Sequence, residues 1–329
     1  MSASYRRHRQ SRASRLLRRR SRPYLWGVIP VIHHPDYVAE APTDSRYRWG
    51  KNGLVRDLLR DMGPAVVWHN GVPMPRAWIE AVHDPDYVAE VIEARVPPHK
   101  ERRIGFAVTP PMARRAVAVP GGTYAAARVA MTTGYAANTA GGSHHALADT
   151  GAGYCVFNDL AIAANRLVEE GTRERVLVVD VDVHQGDGTA SLLAGRENLA
   201  TYSIHADKNF PARKACSTLD VPLRDGVGDD EYLATLAATL VPLIDSFGPT
   251  MLLYQAGVDP FAGDRLGRLA LSEAGLIERD RWIGRLAATR GLPIASALGG
   301  GYGDLMEVSR RHVASIVAVA EGTGIVPRA

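Results

Sequence analysis

The run Val176-Leu177-Val178-Val179 passes directly into Asp180-Val181-Asp182-Val183-His184-Gln185-Gly186-Asp187-Gly188, and this junction constrains the fold more than any other stretch. Consecutive aliphatic residues leave no polar face, so the strand they form is buried on both sides. Such a strand belongs in a parallel sheet covered by helices. Met251-Leu252-Leu253-Tyr254 and Pro293-Ile294-Ala295 read the same way, with helical stretches between them. Asp159 is placed to cap a helix that stops at Gly171. Asp229 or Asp230 is placed to cap another, whose Leu233, Leu236, Leu240, Leu243 and Phe247 keep helical spacing around a kink at Pro242. Ser272 is placed to cap a third, stopped at Gly291. This alternation predicts an α/β fold: a single domain over residues 24–329, with a mostly parallel β-sheet and helices on both faces.

The chain has 329 residues, 46% of them apolar, which is enough for a large core without disulfides. Its two cysteines, Cys155 and Cys216, exclude a disulfide framework and a four-cysteine zinc site. That usage fits a reducing compartment, and the expectation is a cytoplasmic protein. No apolar run approaches the roughly 18 residues of a transmembrane helix, so no membrane partner is expected. The net charge of +4 is misleading, because residues 1–22 alone hold nine arginines and no acid. The remainder is therefore net acidic. Residues 1–23 read as a disordered Arg-rich tail. Its Arg/Ser-rich, acid-free composition also matches an organelle-import segment or a nucleic-acid-binding arm, the only part of the chain that could take nucleic acid. A near-repeat, His34–Glu40 against Asp84–Glu90, predicts two helix starts with Pro in the first turn.

In sheets of this kind, sites collect beyond the carboxyl ends of the strands. On an extended chain Asp180, Asp182 and His184 point to one face. Three such groups at the end of an apolar strand are costly unless a cation joins them. Asp259, in Gly257-Val258-Asp259-Pro260 just past the strand at 251–254, is a candidate third ligand beside Asp182 and His184. A nitrogen and oxygen set with one open position suits catalytic Zn²⁺, and also Fe²⁺ or Co²⁺. Gly141-Gly142-Ser143-His144-His145-Ala146 offers two imidazoles on a bendable loop, with Asp180 and Asp187 available to orient them. Gly299-Gly300-Gly301-Tyr302-Gly303 delivers a tyrosine hydroxyl to the same rim. Taken alone, the histidine pair is also ordinary filler and the glycine segment an ordinary turn.

The segments GGSHHA, DVDVHQGDG, AGVDP and GGGY occur in the order and spacing of the histone deacetylase superfamily, which the chain resembles from about residue 30 onward. Thr201–Leu223 with Asn209-Phe210-Pro211, Gly263-Asp264-Arg265-Leu266-Gly267 and Arg279-Asp280-Arg281 resemble a bacterial branch near the class IV deacetylases. The resemblance implies the arginase–deacetylase fold and hydrolysis of an N-acyl amide, on an acyl-lysine or acylated amine, by metal-activated water. It implies that Asp182, His184 and Asp259 hold the metal. His145, backed by Asp187, is then the general base, and His144, backed by Asp180, an electrostatic partner. Tyr302 is the donor to the carbonyl oxygen. Tyr154 and Phe210 match the walls of an acyl-lysine tunnel, with Gly153 at its floor. A structural K⁺ is implied at Asp180, Asp182, His184, Ser203 and Ile204. The chain departs from relatives in having Tyr154 where Phe is usual. The acid with which class I enzymes grip the substrate backbone has no match in Arg102–Phe106. Two rival readings are a ureohydrolase of the same fold, which needs two metals, and a non-catalytic binder of acylated or amine ligands.

Overall fold

A computed structural model of the protein describes residues 27–38 and 50–326. The Arg-rich tail lies outside the described residues. Eight strands form one sheet: β1 (Ile29–His33), β2 (Val66–Asn70), β3 (Tyr135–Asn138), β4 (Val176–Asp180), β5 (Leu199–Ala206), β6 (Leu219–Leu223), β7 (Met251–Gln255) and β8 (Ile294–Ala297). Their spatial order is β2-β1-β3-β8-β7-β4-β5-β6, and every pairing is parallel. The helices are α1 (Gly50–Asp61), α2 (Arg76–Glu80), α3 (Pro85–Ile92), α4 (Pro98–Ile104), α5 (Pro110–Thr133), α6 (Asp159–Glu169), α7 (Asp187–Leu193), α8 (Asp229–Phe247), α9 (Glu273–Thr289) and α10 (Leu305–Thr323). None of these is long and apolar enough to cross a membrane.

The apolar run at the centre of β4 works as its sequence requires. Leu177 and Val179 face one core, with Leu236 and Leu240 of α8, Ile283 of α9 and Ile316 of α10. Val176 and Val178 face the other, with Ala126 and Ala130 of α5 and Leu160 and Leu167 of α6. Each such aliphatic side chain, fully buried, contributes about 1.5–3 kcal/mol. Both faces of the sheet are thus covered by helices, and chemistry is confined to its ends.

Three local expectations change. Asn158, not Asp159, caps α6: its backbone is extended and its side chain accepts from the Ala161 N–H. Asp159 is thereby released to bind elsewhere. The cap position of α8 is Gly228, and Asp229 instead accepts from Ser272 N–H and hydroxyl. Ser272 caps α9 as expected, accepting from Gly275 N–H. Of the near-repeat, the second copy starts α3 on an Asp84 cap. The first forms only a 3-10 turn, Pro35–Val38, and its last two residues lie outside the described residues.

Candidate active site

Four adjacent strands, β3, β8, β7 and β4, bring their carboxyl ends to one rim. After β3 the chain turns at Gly141 and Gly142, whose φ values of +90° and +80° are left-handed. That turn is what lets the consecutive His144 and His145 face the same cleft, with ring centroids 4.0 Å apart. Asp159 clamps the turn, accepting from Gly142 N–H, from Ser143 N–H at 2.7 Å and from the Thr123 hydroxyl at 2.6 Å.

Each imidazole has its own carboxylate. His144 Nδ1 lies 2.7 Å from Asp180 Oδ2, at the end of β4. His145 Nδ1 lies 2.7 Å from Asp187 Oδ1, in the first turn of α7. All four side chains are buried or nearly so. Burial alone lowers both histidines. At His144 the carboxylates of Asp180 and Asp182 outweigh burial and hold the imidazole up at about 9. At His145 burial and the neighbouring charge on His144 prevail over Asp187, and the value falls to about 4. Near neutral pH the pair therefore holds one charged and one neutral ring.

Beside them Asp182, His184 and Asp259 bring one ligand atom each to within 4.8 Å of one another. His184 Nδ1 is 2.9 Å from Asp182 Oδ1 and 3.2 Å from Asp259 Oδ2. Tetrahedral ligands at zinc-like bond lengths sit about 3.4 Å apart, so this spacing fits a small cation. Asp259 Oδ2 is buried and makes no hydrogen bond. Burial and Asp182 together raise Asp259 to about 7. The two carboxylates overcome burial at His184 and raise it to about 10. Two buried carboxylates and an imidazole at this spacing form a donor set that fits a divalent ion. Glycine is required around them: a Cβ on Gly300 would stand 2.1 Å from Asp259 Oδ2, and one on Gly257 2.5 Å from Asp182 Oδ2.

A pocket of about 350 Å³ opens over these groups. His145 and His184 lie in its lining, as do Gly153, Tyr154, Phe210 and Tyr302. The Phe210 ring meets His145 edge-on at 4.7 Å, and the Tyr302 ring meets His184 at 6.0 Å. Gly153 has φ +52°, and a Cβ there would meet His145 at 2.7 Å. Tyr154 holds a left-handed φ of +67°, unusual for a non-glycine residue, fixed by its N–H donating to the Ile104 carbonyl. Cys155 is buried packing whose thiol burial pushes up. The β4–β5 register sets Ser203 opposite Asp180.

Six of the eleven residues expected at the site line this cavity, and the other five connect to them through the contacts above. Sequence reasoning missed those that hold them there. Asp264 accepts from Tyr302 N–H at 2.7 Å and also from Leu266 and Gly267 N–H. Its sequence signal was the Asx-turn pattern Asp-Arg-Leu-Gly. Gln255 donates to Asp182 Oδ2 at 3.0 Å, and a polar residue ending an apolar strand was the clue. Lys51 Nζ, buried, donates to the Gly299 carbonyl at 2.6 Å from some 250 residues upstream, with no local signal.

The family profile described as histone deacetylase domain matches residues 47–320. An uncharacterized protein of Picosynechococcus sp. is 41% identical over 288 residues, covering 86% of this chain and 96% of that protein. Histone deacetylase 2 of Arabidopsis thaliana is 31% identical over 209 residues, covering 63% of this chain and 53% of that protein. The match thus spans about half the length of that named deacetylase. Among solved structures, acetylpolyamine aminohydrolase from Burkholderia pseudomallei superposes with TM-score 0.74 at 20% identity, over 89% of this chain and 98% of that one. The HD domain of HDA15 superposes with TM-score 0.75 at 20% identity, over 91% and 88%. These two likenesses bear on the fold.

Proposed function

The chain belongs to the histone deacetylase domain family, and from that premise we propose that it hydrolyses an N-acyl, foremost N-acetyl, amide of a lysine or other primary amine. The observation that carries this reading is the pairing of two carboxylate-backed imidazoles with the Asp182, His184 and Asp259 cluster in one pocket. Those three residues would hold the ion, which we take to be zinc. Such an ion, when bound, polarises a carbonyl and acidifies water.

The chain's own groups supply the rest. His145, neutral near pH 7, accepts the proton of the attacking water and passes it to the departing amine as the C–N bond breaks. Asp187 engages its Nδ1, which fixes the tautomer and leaves Nε2 for the reaction. The charged His144, held by Asp180, counters the negative charge that develops as the carbonyl is attacked. Tyr302 donates its hydroxyl to the carbonyl oxygen, and Asp264 fixes the backbone that carries it. Tyr154 and Phe210 hold the chain of the acylated amine, with Gly153 leaving room beside His145. In the same reading Asp180, Asp182, His184, Ser203 and Ile204 would hold a K⁺, and the pairing of Ser203 with Asp180 supports that reading. The protein acts in the cytoplasm.

A ureohydrolase needs two metals, and among the described residues a single three-ligand cluster occurs. The decisive assay is release of free amine from acetyl-lysine peptides and acetylated diamines by the zinc-loaded protein. Zinc binding with no turnover of any acylated amine supports the non-catalytic binder instead.

A further inference from the structure

The two ends of the pocket differ in charge. Buried carboxylates lie behind its histidines, outside the lining, while the lining itself carries two arginines. Arg102 and Arg103, in the last turn of α4, line the pocket and are exposed. Among the described residues neither has an ion-pair partner. Their neighbours do: Lys100 binds Glu90, and Glu101 accepts from Val108 N–H. No acidic residue belongs to the lining. Lys208 and Arg265 are exposed next to the lining residues Asn209 and Leu266 and add the same sign, with Asp207 the one exposed acid beside them.

The arginines are also held in place. The Arg103 carbonyl accepts from Gly153 N–H at 3.1 Å, and the Ile104 carbonyl from Tyr154 N–H at 2.8 Å. Two backbone bonds therefore fasten the end of α4 to the segment that walls the pocket. A guanidinium carried on that segment borders the same pocket as His145, His184 and Tyr302. A cleft mouth of one sign focuses its field on an entering ligand and repels like charge.

We propose that Arg102 and Arg103 select substrates whose leaving amine carries an anionic group a few bonds beyond the scissile nitrogen, and that they reject polycationic amines. This rests on the amide hydrolysis proposed above. The anion is either an acidic residue flanking an acyl-lysine or the carboxylate of a small amino acid.

The test uses the full zinc-loaded chain and two matched series. One is N-acetyl-6-aminohexanoate, its neutral amide and N-acetyl-1,6-diaminohexane, in which only the distal charge changes. The other is a capped acetyl-lysine peptide flanked by Glu, Ala or Lys. The expected order of kcat/KM is anion, neutral, cation, with roughly three- to tenfold per step at low salt. The steps shrink as salt is raised. In the Arg102→Glu, Arg103→Glu double variant the order reverses. The series with the larger steps identifies the source of the anion. Equal rates across both series, or preference for the cation, overturn the proposal. So does an anion preference that survives the double substitution, since Arg102 and Arg103 are then not its source. If no substrate in either series is turned over, the hydrolysis reading itself has failed.

Discussion

Gly300 offers a test of the metal site that leaves every proposed ligand in place. Its φ is not left-handed, unlike those of Gly299 and Gly301, so alanine is allowed by the backbone. The damage comes from the Cβ alone. That atom would stand 2.1 Å from Asp259 Oδ2, 2.7 Å from Asp182 Oδ2 and 2.9 Å from Asp259 Cγ. Real Cβ contacts essentially never fall below 3.0 Å, so the Asp259 oxygen must retreat by the better part of an ångström. The same move strains the 2.7 Å bond from Gly300 N–H to Asp182. Metal sites tolerate roughly ±0.2 Å in ligand distance, and a misplacement of about 1 Å typically costs on the order of 10² in rate. Overpacking itself destabilises by about 1–3 kcal/mol. Gly300→Ala should therefore stay folded with Tm lowered by a few degrees, bind zinc weakly and lose about 10²-fold or more in kcat. Zinc at about 100 times Kd should stabilise the wild type by about 2.7 kcal/mol, and the variant much less. Metal content after dialysis, thermal melts with and without zinc, and amine release measure all three. A variant with full zinc, an unchanged zinc-dependent Tm shift and wild-type kcat would falsify the placement of these carboxylates around an ion.

Three more predictions follow from other parts of the molecule. Tyr302→Phe should keep its zinc and nearly the same KM while kcat falls on the order of 10²–10³; loss of metal would instead make Tyr302 a support of the ligand shell. Deleting residues 1–22 should leave kcat/KM on a small uncharged acylated substrate unchanged, and a tenfold drop would show contact between the arginines and the site. Burial lowers His83 to about 4 while its Nε2 accepts from Asn158 N–H. The unfolded chain, with imidazole near 6.5, then binds one more proton between those values, so the His83 contribution is complete above about pH 6.5 and declines toward pH 4 by about 1.4 kcal/mol per pH unit. His83→Gln should flatten that slope in pH-dependent melts, and an unchanged slope would rule His83 out.

The sequence revealed the site where polarity interrupts an apolar strand, and hid it where the fold recruits distant partners. Val176–Val179 announced a buried strand, and Asp182, His184 and Asp259 stood at strand ends, where a parallel sheet collects its chemistry. Asp159 was misread because a carboxylate before a helix has two uses. Only the packing of α6 against α5 shows that Asn158 takes the cap while Asp159 clamps the histidine turn. Lys51 was illegible for a simpler reason: its bond to the Gly299 carbonyl spans some 250 residues and leaves no periodicity or motif around Lys51 itself. The arginines at the mouth were visible as letters, but their exposure and their lack of partners are properties of the folded surface.

The reacting groups and part of the pocket lining come from different parts of the fold. Both imidazoles, the three candidate ligands and Tyr302 follow the four adjacent strands β3, β8, β7 and β4. Arg102 and Arg103 come from α4, and Phe210 from the loop after β5, outside that block. A substitution in the central block disturbs several reacting groups at once, because their carboxylates, glycines and backbone amides interlock. One at α4 or after β5 changes what enters while leaving those contacts intact. Selectivity can therefore be altered from α4 without rebuilding the groups that react.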